Sequence, residues 1–256
     1  MELLRTVSLD VGIAGRRLLR DLNLSVHAGQ CWGLLGTNGS GKTTLLHTLA
    51  GLRPAQGGSL WLQGAPLQRL PRRQVAQRLG LLPQDSNDSF PASVLDTALI
   101  GRHPHLGRWH QETTADIAHA RHALQQVDLA GMEQRPCHTL SGGERRRLAL
   151  ATLFTQAPRL MLLDEPTNHL DLPHQIAVLQ HLRHLADSGE HAIVMALHDI
   201  NLTARYCDHV LMLSGDGSWQ AGAAAELLNA ERLSQLYGHP VLQLAGAEGQ
   251  RVFVAG

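Results

Sequence analysis

The stretch Gly36-Thr37-Asn38-Gly39-Ser40-Gly41-Lys42-Thr43 decides the fold that this sequence predicts. An apolar run at 31–35 leads into it, and an apolar-periodic run at 44–50 follows it. The order is therefore strand, glycine-rich turn and helix, with Gly-x-x-x-x-Gly-Lys-Thr at the junction. Glycines let successive backbone N–H groups point at one anion, and the helix that follows begins with unpaired N–H donors. The stretch predicts a phosphate-binding loop.

Lys42 and Thr43 give this loop its chemistry. We expect Lys42 to reach the outer phosphates of a nucleotide, and the Thr43 hydroxyl to complete the oxygen shell of a Mg²⁺ ion. Lys42 is the only lysine among 22 basic side chains, and its compact charge suits phosphate. The alternative, a glycine-rich turn with a surface lysine, does not explain the flanking strand and helix. The predicted nucleotide-binding residues are Gly36, Thr37, Asn38, Gly39, Ser40, Gly41, Lys42, Thr43 and Thr44.

The composition is that of an ordinary globular protein. The chain has 256 residues, of which 43% are hydrophobic and 17% charged, enough for one large α/β domain. Its formal net charge of zero gives no electrostatic case for a nucleic-acid partner. No apolar run approaches the roughly 18 residues that span a bilayer, and the N-terminus lacks a secretion signal. Three separate cysteines indicate free thiols, so we expect a reducing, cytosolic location.

Strand candidates on both sides of the loop predict the fold class. Apolar residues alternate at 7–13 and 22–26, which predicts two half-buried strands joined through 14–17. Continuous apolar runs at 160–163 and 191–197 are typical of parallel strands covered on both faces. The pattern predicts an α/β phosphate-loop NTPase with a mostly parallel core sheet and an N-terminal antiparallel β part. The remaining predicted elements are strands at 59–62 and 79–84, helices at 176–185 and about 224–237, and hairpins at 210–221 and 241–254.

Between the two halves of the α/β pattern, the periodicity of the apolar residues becomes helical. A polar run at 85–89 is followed by helical periodicity at 94–100 and 114–127, without a strand candidate up to Leu140. We therefore predict a helical subdomain at approximately 86–155, inserted into a single domain that covers residues 1–256.

Two adjacent carboxylates end one of the buried strands, in Leu163-Asp164-Glu165-Pro166. In an open α/β sheet, ligands bind at the carboxyl ends of the strands. We expect Asp164 to bind Mg²⁺, and Glu165, on the opposite side of the chain, to activate the attacking water as general base. A strand that ends in solvated acids is the alternative for such a pair alone, but the phosphate loop upstream favours the catalytic interpretation.

A second anion site is predicted at Leu140-Ser141-Gly142-Gly143-Glu144, which precedes a helix-compatible stretch. Ser-Gly-Gly at a helix start offers a hydroxyl and bare backbone N–H groups. The alternative is a helix cap in which Ser141 and Glu144 form a capping box. That alternative explains the serine and the glutamate but not the two glycines.

With these motifs in place, the sequence resembles the ATP-binding-cassette (ABC) ATPases. The phosphate loop, the Leu-Ser-Gly-Gly-Glu signature and the strand ending in Asp-Glu stand in that family's order and spacing. The resemblance covers essentially the whole chain and implies ATP and Mg²⁺ as cofactors.

The resemblance also places three further residues. Gln84 matches a glutamine that contacts Mg²⁺ and the attacking water. His198 matches a histidine that contacts the γ-phosphate. Asp171, in Asn168-His169-Leu170-Asp171, matches an aspartate that crosses a dimer interface. The expected catalytic residues are Glu165, His198 and Gln84; the metal ligands are Thr43, Gln84 and Asp164; and the further nucleotide contacts are Ser141, Gly142, Gly143 and Asp171.

The sequence departs from the family at the adenine site. Many members carry an aromatic residue near the N-terminus that stacks on adenine. By spacing that position falls at about Ile13, and no aromatic residue precedes Trp32. We therefore expect the nucleotide to be held mainly by its phosphates, and ATP to be preferred over GTP only on the family's precedent.

The resemblance further implies partners. One phosphate loop and one signature in a chain imply a head-to-tail dimer of two copies, in which each signature closes over the ATP of the other. The family implies two transmembrane permease subunits, a periplasmic substrate-binding protein reached indirectly, and a peripheral position on the cytoplasmic face of the bacterial inner membrane. No nucleic-acid partner is expected.

The helical segment favours one group within the family. Ser89-Phe90-Pro91-Ala92-Ser93-Val94 and Ile100-Gly101-Arg102-His103-Pro104-His105 resemble importers of metal chelates, namely cobalamin, haem and ferric siderophores. A generic helical arm without substrate information is the alternative. Two other functions stay open: the same ATPase in another transport system, with a different substrate or export direction, and a soluble ABC ATPase that acts on a nucleoprotein.

Overall fold

A computed structural model describes residues 1–84, 91–107, 111–246 and 249–256. The strands are β1 (Glu2–Ile13), β2 (Arg16–His27), β3 (Cys31–Gly36), β4 (Gly57–Leu62), β5 (Ala65–Pro66), β6 (Leu79–Leu82), β7 (Leu160–Asp164), β8 (Ala192–Ala196), β9 (His209–Leu213), β10 (Trp219–Ala223), β11 (Val241–Ala245) and β12 (Arg251–Ala255). The helices are α1 (Lys42–Leu49), α2 (Arg72–Arg78), α3 (Val94–Leu99), α4 (Thr114–Gln126), α5 (Gly142–Gln156), α6 (Leu172–Asp187), α7 (Ile200–Tyr206), α8 (Ala224–Leu227) and α9 (Ala230–Tyr237).

The strands form the two kinds of sheet that the sequence predicts. An antiparallel sheet of order β2-β1-β4-β5 contains the N-terminal strands. The core sheet has the order β10-β9-β3-β8-β7-β6, and all its neighbours are parallel except the β9–β10 pair. The predicted fold class is confirmed. The predicted hairpins are present as β9–β10 and β11–β12.

The core sheet is covered on both faces, which explains its continuous apolar strands. Every residue of β7 and β8 is buried. Leu160 and Leu162 pack into a cluster shared with the antiparallel sheet, whereas Met161 and Leu163 pack into a cluster shared with α3 to α6. Because successive strand residues point to opposite faces, each strand contributes to two cores.

The predicted alternation in β1 is wrong in one respect. Val7 is 42% and Ile13 38% exposed, whereas Leu3, Leu4, Leu9 and Val11 are fully buried. The pairing of β1 shifts between Thr6 and Leu9, where Ser8 has a φ of +46°. A bulge of this kind adds a residue to one strand and reverses which side chains face the core.

Two helical predictions also need correction. The predicted helix at about 224–237 is two helices, α8 and α9, separated by buried Leu228 and by Asn229. Asn229 has extended backbone and its side chain accepts a hydrogen bond from the N–H of Arg232, so it caps a new helix. Helix α2 follows Pro71 and was not anticipated, since one buried residue, Val75, is too little to create a periodic pattern.

Within its described residues, the segment between β6 and β7 contains helices and turns, and no strand beyond an isolated bridge between Ser93 and Pro136. Helices α3, α4 and α5 occupy it, and α3 and α4 coincide with the predicted periodic stretches. The polar run 85–89, the predicted start of the subdomain at 86, and Ser89 and Phe90 lie outside the described residues. The subdomain's bounds stay a prediction. Among the described helices, none combines the length and apolar character needed to cross a membrane.

The parallel strands bring their carboxyl ends to one edge of the core sheet. In register, Leu34 of β3 pairs with Ala196 of β8, Ala196 with Asp164 of β7, and Leu163 of β7 with Leu82 of β6. The loops after these four strands therefore lie side by side. They carry the phosphate loop, His198, Glu165 and Gln84.

Candidate active site

The glycine-rich loop after β3 has the conformation that its glycines require. Gly41 precedes α1 with a φ of +105°, and a Cβ there would lie 3.0 Å from Cβ of Leu18. A Cβ on Gly36 would lie 2.7 Å from the carbonyl oxygen of Leu213. Side chains at these positions would strain the turn. Thr37, Asn38 and Gly39 form its exposed rim, so the outer surface of the loop is open to a ligand.

Lys42 is folded back against this loop and is 7% exposed. Its Nζ donates to the carbonyl oxygens of Gly36 at 2.7 Å and Thr37 at 3.2 Å. Burial lowers the pKa of Lys42, and the charges of Glu165 and Asp164 oppose this effect. A lysine ammonium has three N–H donors, so these two carbonyls leave one for an anion such as phosphate.

Asp164 ends β7 and is completely buried. Neither of its carboxylate oxygens completes a hydrogen bond within the described part of the chain. Burial raises the pKa of Asp164, while the nearby hydroxyl of Thr43 lowers it. A buried carboxylate without a partner costs free energy unless a cation compensates it. A carboxylate and a hydroxyl are oxygen donors of the type that Mg²⁺ takes, so these two residues fit such an ion.

The side chain of Glu165 is held by three other side chains. Its φ of +51° marks the end of the strand, and its N–H donates to the carbonyl of Ala196 at 3.2 Å. The Nε2 of Gln84 donates to Glu165 Oε2 at 3.2 Å. The Nδ2 of Asn168 donates to the same oxygen, and Nε2 of His198 contacts Oε1 within hydrogen-bond distance. The carboxylate is therefore fixed in orientation.

Asn168 was not among the predicted catalytic residues, although it lies in the loop expected to reach a dimer interface. It directly follows the turn that Glu165 begins, and its N–H donates to the Glu165 carbonyl at 3.2 Å. An amide three residues after the general base is the sequence signal that could have indicated it. The predicted catalytic residues Glu165, His198 and Gln84 do meet.

The signature at the start of α5 forms the capping box that sequence analysis left as an alternative. The N–H of Glu144 donates to Ser141 Oγ at 3.2 Å, and the N–H of Ser141 donates to Glu144 Oε2 at 2.7 Å. Hydrogen bonds from the backbone N–H and then the side chain of Ser141 to the Glu144 carboxylate lower the pKa of Glu144. Gly142 is exposed, and a Cβ there would meet nothing within 4 Å. The capping box accounts for the serine and glutamate, but nothing in the described chain requires glycine at 142.

Asp171 lies at the start of α6. It caps this helix by accepting from the N–H of His174 at 3.2 Å, and the His174 ring lowers its pKa. Within the described chain, no hydrogen bond joins Ser141, Gly142 or Asp171 to the phosphate loop. The fold thus brings together one set of predicted residues around Glu165 and leaves a second set facing outward.

The position expected to stack on adenine is apolar. Ile13 lies at the end of β1 and is 38% exposed. The hairpin that follows it approaches the loop after β9, where Arg16 Nη2 donates to the Gly215 carbonyl at 3.5 Å. No structural feature here replaces the expected aromatic ring among the residues described in this hairpin.

This fold and this arrangement of strand-end residues define a phosphate-loop nucleotide-binding protein. The sequence profile of the family described as "ABC transporter" matches residues 19–168, and the chain belongs to that family, whose members bind ATP.

The relatives share most of this chain. The hemin import ATP-binding protein HmuV of Deinococcus radiodurans is 40% identical over 244 residues, covering 93% of this chain and 91% of HmuV. The cobalamin import ATP-binding protein BtuD of Halobacterium salinarum is 38% identical over 230 residues. That match covers 90% of this chain but 57% of BtuD.

A solved structure supports the fold over the full length. It is a proposed metal-chelate type ABC transporter in an inward-facing conformation, with a TM-score of 0.87 and 28% sequence identity. The match covers 100% of this chain and 98% of that one.

Proposed function

We propose that this chain is the ATP-hydrolysing subunit of an ABC importer for a metal chelate. The observation that carries the proposal is the convergence of Gln84, Asn168 and His198 on the carboxylate of Glu165, beside the phosphate loop. A carboxylate fixed in this way can orient and deprotonate a water that attacks the terminal phosphate.

In the proposed reaction, the loop residues 36–44 bind the phosphates and Lys42 neutralises their charge. Glu165 accepts the proton of the attacking water, while Gln84 and His198 hold the carboxylate and contact the reacting groups. Mg²⁺ would be held by Asp164, Thr43 and Gln84, and when bound it neutralises charge on the phosphate oxygens. The partnerless buried oxygens of Asp164 support this assignment.

The outward-facing residues support a head-to-tail dimer. Gly142 has open space where a side chain would stand, and the N-terminus of α5 offers free N–H donors to an anion. A phosphate group of the ATP bound to a second copy would fill this open space and accept hydrogen bonds from these N–H donors. In this dimer Ser141, Gly142, Gly143 and Asp171 of one copy close over the ATP held by the loop of the other.

The permease partner is supported by an apolar groove next to Gln84. Its lining includes Leu82, Pro83, Ile100, Leu148 and Thr152. Ile100 is 50% exposed, so an apolar side chain in this groove is open to a partner. We propose that the groove of each copy in the dimer binds a cytoplasmic segment of one of the two permease subunits. The chain would then lie peripherally at the cytoplasmic face of the membrane.

The substrate class follows from the relatives. HmuV is named for hemin import, BtuD for cobalamin import, and the structural neighbour for the metal-chelate type. We propose uptake of cobalamin, haem or a ferric siderophore, delivered by a periplasmic binding protein that this chain does not touch.

Hydrolysis is the first test. The purified chain should release phosphate from ATP with Mg²⁺, and Glu165→Gln should lower this rate by about 100-fold or more while ATP still binds. In the presence of ATP, the Glu165→Gln variant should also accumulate as a dimer, which light scattering measures. The matched control is Glu190→Gln, an exposed glutamate whose change should leave the rate unaltered. A Glu165→Gln variant that keeps most of its turnover would refute the general-base assignment.

Transport is the second test. The chain should co-purify with membrane permease subunits, and vesicles of that complex should take up one of cobalamin, haem or a ferric siderophore in an ATP-dependent manner. Uptake of none of the three would exclude the substrate class. Co-purification with ribosomes or DNA would instead favour the alternative of a non-transport ABC ATPase.

A further inference from the structure

Arg146 is a buried cation that the sequence analysis did not single out. It lies in the second turn of α5, downstream of the signature, and is 3% exposed. It shares the buried face of this helix with Leu150 and Leu153, where an apolar residue is the usual choice. A buried guanidinium is costly unless its donors are satisfied.

The guanidinium of Arg146 donates to backbone carbonyls of two separate segments. Nη1 reaches the segment after β6, and Nε and Nη2 reach the end of β7 and the residues beyond it. Its acceptors include the carbonyl oxygens of Pro83 (2.6 Å), Gln84 (3.1 Å), Asp164 (2.5 Å), Glu165 (2.7 Å) and Pro166 (3.4 Å).

Three consecutive carbonyls can face one donor group only because the strand has ended. In an extended strand, successive carbonyls point to opposite sides. The left-handed conformation of Glu165, with a φ of +51°, breaks this alternation and turns the carbonyls of 164–166 toward Arg146. The backbone conformation of the general base and the contacts of Arg146 are therefore parts of one arrangement.

The same contacts set the distance between two catalytic side chains. Gln84 Nε2 donates to Glu165 Oε2 at 3.2 Å, and Arg146 binds the backbone carbonyl of each of these residues.

We infer that Arg146 is a positioning residue for ATP hydrolysis, which holds the segment after β6 and the end of β7 at the separation that Gln84 and Glu165 require. The inference rests on the proposed ATPase function. Only arginine fits this role, because its planar group has five N–H donors in a fixed geometry. Lysine keeps the charge but has a point-like head group with three donors, and glutamine has two donors and no charge.

The test compares Arg146→Lys, Arg146→Gln and Arg147→Gln in the full-length chain. Arg147 is a matched control because it lies next along α5 but donates to the carbonyls of Val127 and Asp128 instead. In both Arg146 variants we expect kcat to fall about 10-fold or more, with the KM for ATP changed less than about three-fold. Arg147→Gln should keep both constants within about three-fold of wild type.

Amide hydrogen exchange separates positioning from a general loss of packing. In Arg146→Lys the amides of 164–168 should exchange faster, while the middle of α5 stays protected. If Arg146 only stabilised the packing of α5, the amides of α5 itself would exchange faster in Arg146→Lys. The kcat and the KM for ATP would then both change, without a selective fall in kcat.

Four outcomes would overturn the inference. They are unchanged kcat in folded Arg146→Lys and Arg146→Gln, an equal loss in Arg147→Gln, faster exchange in the middle of α5 in Arg146→Lys, or failure of both Arg146 variants to fold, which would assign the residue to the core alone. Absence of ATP hydrolysis in the wild-type chain would refute the proposed function instead, so the two failures are distinguishable.

Discussion

The carboxylate of Glu165 is held between Gln84 and His198, which come from the loops after the two strands that flank its own. Gln84 Nε2 donates to Oε2 at 3.2 Å, and His198 Nε2 contacts Oε1. Strand order places β7 between β6 and β8, so Glu165, the proposed general base, is in the middle and each neighbour holds one of its oxygens. Its orientation thus depends on these two contacts together with that of Asn168.

Because they act on one carboxylate, Gln84 and His198 should behave as a unit. Gln84→Ala and His198→Ala should each lower kcat by roughly 10- to 100-fold, and the double variant by clearly less than the product of the two. Steady-state phosphate release from the three variants measures this coupling. His119→Ala, on the exposed face of α4, serves as the control and should be neutral. A double variant whose loss equals the product of the two single losses would mean that Gln84 and His198 act independently of each other, which would contradict the proposed unit.

Lys42 should decide nucleotide affinity. Lys42→Ala removes the charge that we propose neutralises the phosphates, so the dissociation constant for ATP should rise at least about 10-fold, as expected for a lost charge-assisted contact. Fluorescence titration with a labelled ATP measures this. Arg53→Ala removes an exposed cation outside the loop and should leave the affinity unchanged. An unaltered affinity in Lys42→Ala would contradict the phosphate-loop assignment.

Ser141 should have a role beyond helix capping. Ser141→Ala and Ser93→Ala each remove the serine of a capping box, at the start of α5 and α3 respectively, and should each lower the free energy of unfolding by about 0.5–2 kcal/mol. Only Ser141→Ala should also weaken ATP-dependent dimer formation, tested in the Glu165→Gln background by light scattering. Equal dimerisation of both variants would show that Ser141 acts only as a helix cap.

Asp116 should stabilise the chain in a pH-dependent manner. The side-chain and backbone hydrogen bonds from Thr113, followed by that from Arg102, hold the pKa of Asp116 well below its ordinary value. A depressed pKa contributes stability that is present above the ordinary pKa and is lost as the pH falls through the depressed one.

Asp116→Asn should therefore lower the free energy of unfolding at pH 7 by about 1–3 kcal/mol, with the difference from wild type shrinking below about pH 4. Urea unfolding at several pH values measures both quantities. Glu190→Gln, at an exposed site, should show no such difference. A gap that stays constant from pH 7 to pH 3 would show that the carboxylate charge contributes nothing.

Local patterns in the sequence determined much of this protein. The glycine loop, the alternating and continuous apolar strands and the long periodic helices depend on backbone sterics and side-chain periodicity, which operate over a few residues. The motifs around Lys42, Ser141 and Glu165 could be recognised in the sequence for the same reason, because each is a short run of residues with its own chemistry. Their common order along the chain was enough to indicate the family and hence the fold.

Only the tertiary structure decided which residues meet. Gln84 and His198 lie 81 and 33 residues from Glu165, and strand order places them around it, whereas Asn168 reaches it through the turn that follows β7. The bulge that turns Val7 outward likewise overrides the alternation of apolar residues in β1.

Arg146 shows the difference most clearly. In sequence it is the middle of three arginines in a polar helix start, and nothing local marks it as buried. Its role depends on carbonyls from two distant segments, which the left-handed turn at Glu165 directs to one point. A sequence specifies which donors and acceptors exist, but the sheet register decides which of them share a site.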